Sequence, residues 1–302
     1  MIEKLVDIGT KKLEVSIHGN GMPIVVIETG MGCSWYDWCE VISEISKRTT
    51  VLTYNRSGYG ESTLGKEERS TKQIAEELNK LLELEGIISP IILVGHSFGG
   101  LCVQHFANLF PEKVLGMVLI DSNSVDEYKM DELRYKLASF EKTFPKDKII
   151  ENWKELSLKS KVQLKKLIFP KLLPEQMAFT EDIQKCILEF QINPNMYSVM
   201  ASELLLMSQS GHEIKNCFKQ LDVPLKVLGR DKMLGVKWNI DMGIPENEAI
   251  EFETLWHSLV KEEAKNSKNG AFLEVKDSKH SIYRTNPKIV IKSIINVMEE
   301  IE

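Results

Sequence analysis

Short β-branched runs alternate along this chain with stretches of helical spacing, and that alternation predicts a mostly parallel sheet covered by helices on both faces. The apolar runs place eight strands at about 5–8, 13–18, 24–28, 50–54, 91–94, 114–120, 225–228 and 271–275. Between them, Ile74, Leu78, Leu81 and Leu82 recur at three-and-four spacing, as do Leu101, Cys102, His105, Phe106, Leu109 and Phe110. Both stripes are expected to pack on the sheet. A last helix opens at Pro287, whose fixed φ suits a first turn, and sets Val290, Ile294, Met298 and Ile301 along one face.

The alternation fails once. From about 123 to 221 the spacing stays helical and the strand signal nearly vanishes, which predicts a helical cap inserted into an α/β core made of residues 1–122 and 222–302. Met130, Leu133, Leu137, Phe140 and Phe144 mark one cap helix, and Met196, Val199, Met200, Leu204 and Met207 mark another. Packing inside the cap is the expected role of these methionines, with an adaptable apolar pocket wall as the functional alternative. Lys159, Lys161, Lys165, Lys166 and Lys171 read as a solvated face of the same segment.

Composition narrows the function classes. With 302 residues and 43% hydrophobic content the chain can bury a sizeable core. Its 38 basic and 44 acidic side chains leave a net charge of −6, which offers no broad attraction to nucleic acid or to an anionic membrane. No run of 18 apolar residues occurs, and the first residues lack the basic and apolar regions of a signal peptide, so no membrane span and a cytoplasmic location are expected. Cys33, Cys39, Cys102, Cys186 and Cys217 are odd in number and lack Cys-x-x-Cys spacing. They are expected to be reduced and mostly buried, with neither a disulfide framework nor a zinc site.

The chemistry concentrates at Gly95-His96-Ser97-Phe98-Gly99. Gly-x-Ser-x-Gly alone is a weak signal, but here an apolar strand runs directly into it and an amphipathic helix runs directly out, the context in which a sharp turn pushes a serine hydroxyl into the open. Glycines two residues either side let that turn close where a Cβ would strike neighbouring backbone. The helix start also aims free N–H groups and a positive dipole end at the same point.

A serine hydroxyl is a feeble nucleophile near neutral pH without an imidazole to take its proton. Of the six histidines, only His280 lies in a loop between a final strand and a final helix. His18 ends an early strand, His96 fills the turn, His105 lies on a core-facing stripe, and His212 and His257 sit near helix ends or on polar faces.

Together these features resemble the α/β-hydrolase superfamily, and within it the capped hydrolases of the esterase and non-haem-haloperoxidase kind. The landmarks are Glu28-Thr-Gly-Met-Gly-Cys-Ser, Tyr54-Asn-Arg-Ser-Gly-Tyr-Gly-Glu-Ser, the turn at Ser97, Phe110-Pro-Glu-Lys-Val and His280. The resemblance implies a cofactor-free serine hydrolase that opens an ester-like bond of a largely apolar small molecule through an acyl-enzyme on Ser97, with His280 as base. It implies that Thr29-Gly30-Met31-Gly32 is an oxyanion loop, with Thr29 where relatives carry His and with Met31 and Phe98 as N–H donors. Relatives carry the acid after the sixth or the seventh strand, which leaves Asp121 and Asp231 as candidates. Asp121, in a Leu-Ile-Asp-Ser context, is favoured over Asp231, which stands close behind Pro224. Lys279 stands where relatives have Gly before the histidine, and Asn55 where they often have Asp, there expected to shape a turn. Trp35 and Trp38, beginning a helix beside the loop, are expected in the core. Perhydrolases, C–C hydrolases and receptor-type ligand binders share this set of residues, so the substrate is not legible.

Overall fold

In the computed structural model, which describes residues 2–301, the eight apolar runs are strands. They are β1 (Ile2–Asp7), β2 (Lys12–His18), β3 (Val25–Glu28), β4 (Val51–Asn55), β5 (Ile91–His96), β6 (Val114–Ile120), β7 (Leu221–Arg230) and β8 (Ser267–Val275). One sheet holds them in the order β1-β2-β4-β3-β5-β6-β7-β8. The pairs β1/β2 and β2/β4 are antiparallel, and every pair beyond is parallel. Strand β7 begins earlier than its β-branched signal, because Pro224 interrupts the ladder to β8 and masks the run that precedes it.

The described residues contain thirteen α-helices. In chain order they are α1 (Cys39–Ile45), α2 (Thr71–Leu84), α3 (Phe98–Leu109), α4 (Tyr128–Lys136), α5 (Ala138–Thr143), α6 (Lys146–Ser157), α7 (Lys161–Ile168), α8 (Glu181–Gln191), α9 (Pro194–Asn216), α10 (Lys232–Asp241), α11 (Glu246–Glu262), α12 (Ile282–Thr285) and α13 (Pro287–Ile301). Alternation along the central strands divides the core into two layers. Val26, Leu93 and Leu119 face a cluster with Leu78, Phe106 and Trp256, while Val25, Ile27, Val94 and Ile120 face one with Trp38, Val290 and Ile294. Trp38 lies in that second layer stacked on Tyr283, ring centroids 4.1 Å apart.

Six helices, α4 to α9, fill the stretch between β6 and β7. Three details depart from the sequence reading. The stripe from Met130 to Phe144 is two helices, because Leu137 takes an extended conformation (φ −92°, ψ 93°) that turns Phe140 onto Phe252 of α11, with centroids 4.3 Å apart. The helical hairpin α10–α11 between β7 and β8 was not foreseen. Only Cys102 of the five free thiols is fully buried; Cys217 is exposed and the other three are intermediate. Of the lysines between β6 and β7 singled out above, Lys161, Lys165, Lys166 and Lys171 are exposed and Lys159 is partly so. Among the described residues no helix is long and apolar enough to cross a membrane.

Candidate active site

Strand β5 ends at His96, α3 begins at Phe98, and Ser97 between them is held at φ 52°, ψ −124°. A side chain in such a region is strained by about 1–3 kcal/mol, and the neighbouring strand supplies the restraint. The Ser97 N–H donates to the Ile120 carbonyl (3.1 Å), and the Ser97 carbonyl accepts from Gly100 (2.9 Å) and Asn123 (3.1 Å). Gly99 packs so tightly against β3 that an added carbon would lie 2.4 Å from the carbonyl oxygens of Glu28 and Thr29.

One residue past β6, Asp121 also has a positive φ of 41°, and its carboxylate is fully buried. His280, in the loop after β8, places Nδ1 2.6 Å from Asp121 Oδ2. Since a carboxylate only accepts, the contact assigns the Nδ1 proton to His280 and leaves Nε2 as its basic nitrogen. Three other donors fix the carboxylate. Trp256 Nε1 (3.0 Å) and the Arg230 N–H (3.2 Å) reach Oδ1, and Arg230 Nη1 (2.8 Å) reaches Oδ2. Burial pushes this carboxyl up, but the Arg230 charge and the His280 hydrogen bond outweigh it and hold Asp121 well below the usual carboxylate range. Arg230 is itself pinned by both oxygens of Glu253 (3.1 and 2.8 Å) and lies over the Trp256 ring at 4.5 Å.

Asp231 does different work. Its Oδ1 caps α10 by accepting from Met233 (2.9 Å) and Leu234 (3.3 Å), and its Oδ2 accepts from the Asp277 N–H (3.1 Å). The structure therefore brings His280 to Asp121, and leaves Asp231 as a helix and loop staple.

His280 packs beside the turn. Its ring lies 4.8 Å from that of His96, and its carbonyl oxygen is 3.2 Å from His96 Nε2. Among the described residues no hydrogen bond joins it to Ser97, whose hydroxyl instead donates to Asn123 Oδ1 at 3.3 Å. Asn123 in turn donates to Glu127 Oε2 (3.0 Å). Glu127 is buried, which pushes its carboxyl up to about 7 despite that hydrogen bond and the nearby charge of Arg134.

The loop at 29–32 is shaped by a buried arginine. Arg56 donates to the carbonyls of Thr29 (2.6 Å) and Gly30 (3.0 Å), to Glu28 Oε1 (2.6 Å), and through Nε and Nη2 to Glu203 of α9 (2.8 and 3.3 Å). Tyr54 donates to Glu28 and Tyr59 to Glu203, while the Gly32 N–H donates to Tyr59. With its carbonyls turned toward Arg56, the loop keeps the Met31 N–H unpartnered within the described residues, as is the Phe98 N–H at the start of α3. Asn55, in the same region, donates to Glu14 of β2 (2.9 Å) instead of bonding within its own turn.

The remaining histidines have structural partners. His18 meets Ser16 (2.7 Å), His105 meets Thr71 (2.7 Å) and is pushed down to about 4 by burial, His212 packs on Tyr128 and His257 on Phe272. Sequence reasoning missed Arg230, Asn123, Glu127 and the Glu253–Trp256 pair. Only the last had a local signal, an i,i+3 spacing that puts both on one face of α11.

A cavity of about 650 Å³ opens beside His280, between the α4–α6 segment and α10–α11. Phe140, Phe144, Trp238, Phe252 and Trp256 wall it. Ile149 also lines it and, like Met31, packs against the cluster that holds Phe98.

Residues 23–154 match the family model of the alpha/beta hydrolase fold. The chain is 26% identical over 140 residues to the uncharacterized protein YbdG of Bacillus subtilis, covering 46% of this chain and 42% of that protein. It is 24% identical over 143 residues to epoxide hydrolase 4 of Mus musculus, covering 47% and 40%. The matched stretches thus span less than half the length of these curated relatives. Among solved structures, a thermophilic esterase from Thermogutta terrifontis superimposes with a TM-score of 0.65 at 16% identity, over 100% of this chain and 99% of that one.

Proposed function

Because this chain is an α/β-hydrolase-fold protein, we propose that it is a serine hydrolase that cleaves an ester-like carbonyl bond through an acyl-enzyme on Ser97. The observation that carries the reading is the Asp121–His280 pair at 2.6 Å, packed beside a serine held at φ 52°. Residues 123–221 are read as a cap over the site, and residues 1–122 with 222–302 as the core.

In the reaction Ser97 Oγ turns from Asn123 toward His280, Nε2 accepts its proton, and the oxygen bonds to the substrate carbonyl carbon. Such contacts are often loose in a free enzyme and tighten when the substrate binds. The carbonyl oxygen gains the displaced electron pair and accepts from the Met31 and Phe98 N–H groups. The imidazolium faces Asp121, then returns its proton to the departing alcohol. Water repeats the sequence on the acyl group: His280 takes its proton, hydroxide adds to the carbonyl, and Ser97 leaves with a proton from His280. Each step balances without a cofactor.

A fluorophosphonate reagent is expected to label Ser97, and Ser97→Ala to abolish both labelling and turnover of a short p-nitrophenyl ester. Full turnover in that variant would refute the assignment.

A further inference from the structure

The cavity beside His280 has aromatic walls but an unbalanced set of charges. Two of its cations are matched, Arg230 by Asp121 and Glu253, and Lys237 by Asp241. Arg134 and Lys279 are not. Arg134, from α4, lies 5.5 Å over the Phe252 ring, and its Nε is buried with no hydrogen-bond partner. Glu127, the carboxyl that feels the Arg134 charge, is hydrogen-bonded by Asn123, and Asp131, three residues before Arg134, is engaged by Lys146 and Ser208. Lys279 is exposed at the cavity's edge, and among the described residues neither cation has a carboxylate within ion-pair distance.

A buried donor left without an acceptor is destabilising, and more so when it carries charge. Of the Arg134 nitrogens only Nε is enclosed without a partner, and the outer pair of a guanidinium offers an arriving carboxylate a two-pronged, charge-assisted hydrogen bond. About 650 Å³ also suits an occupant of ordinary ligand size, most of whose surface would meet aromatic rings.

We propose that this cavity receives the part of the substrate remote from the scissile bond, an apolar or aromatic body that ends in a carboxylate, with Arg134 as its partner and Lys279 adding attraction at the rim. The proposal rests on the hydrolase reading, and names the substrate class as esters whose acyl or alcohol portion bears a carboxylate. Hydrolysis then adds water across the ester bond, while the distal carboxylate is unchanged.

Two measurements test it separately from that reading. Mono-p-nitrophenyl adipate and its neutral methyl ester differ only in the distal charge. The wild-type protein should prefer the acid in kcat/KM, and Arg134→Gln should lower the acid-to-neutral ratio about tenfold or more, a change worth about 1.4 kcal/mol. Arg134→Lys should restore part of the ratio, and Lys279→Gln, at an exposed position, should lower it by a smaller factor. Independently of turnover, titration calorimetry on the Ser97→Ala protein should show 4-phenylbutanoate binding more tightly than 4-phenylbutanamide, a preference that Arg134→Gln removes. An unchanged ratio in Arg134→Gln, a preference that survives it, or no binding of the acid overturns the proposal. Failure to label Ser97 or to turn over either ester overturns the hydrolase reading instead, and leaves the cavity to be judged by calorimetry.

Discussion

Ser97 and Asp121 stand one residue beyond the ends of adjacent parallel strands, and both are forced to positive φ. The same edge of the sheet thus presents a hydroxyl and a carboxylate while the chain turns sharply away. If Asp121 orients and stabilises His280, Asp121→Asn is expected to lower kcat by about 10⁴ and Asp231→Asn to change it little, as p-nitrophenyl ester kinetics will read. Glu127 carries a second expectation. Its folded value of about 7 lies above the ordinary 4.5, so its contribution to stability is fully present below pH 4.5 and is lost as pH rises through 7. Glu127→Gln should therefore be no more stable than wild type at pH 4 and more stable above pH 7, by up to about 3 kcal/mol, in urea unfolding at the two pH values. Ser97 and His280 were legible because each stands in a local pattern. Asn123, Arg230 and Glu127 were not, since their roles arise from contacts such as Arg230 to Asp121, 109 residues apart in the chain.

At the scale of elements, the strands were the most legible feature, because buried parallel strands are written as continuous apolar runs. Helix limits were less so. The break at Leu137 follows no breaker residue and is imposed by the fit of Phe140 against Phe252, a tertiary preference that overrides a continuous helical stripe. The α10–α11 hairpin shows how one short insertion serves several purposes: it supplies Trp256 and Glu253 to the Asp121–Arg230 pair, and one wall of the cavity. Asp231 belongs to this element. Asp231→Ala removes the α10 cap and should lower stability by about 1 kcal/mol, visible as a reduced Tm, whereas Asp231→Asn keeps an acceptor at the cap and should lower it less.

For the whole molecule, the sequence carried the architecture further than the chemistry. Periodicity located the sheet, the long helical stretch and the closing helix, since those follow from burial alone. Which aspartate reaches the imidazole depended on the path of two loops, so a resemblance that allows either position favoured Asp121 on its Leu-Ile-Asp-Ser context alone. The arginine at 56 bears on motion. Its guanidinium is locked between Glu28 of β3 and Glu203 of α9 and is wholly shielded from water. Lifting α9 would part Glu203 from Arg56 and break a buried ion pair, a penalty of several kcal/mol. In hydrogen exchange, amides of α9 should therefore be the slowest of the helices α4 to α9, and those of α4 and α5 faster. If residues 123–221 cover the site as proposed, the 23-residue α9 is its fixed doorpost, and the route for a ligand lies at the opposite jamb, where Phe144 beyond α5 stacks on Trp238 of α10.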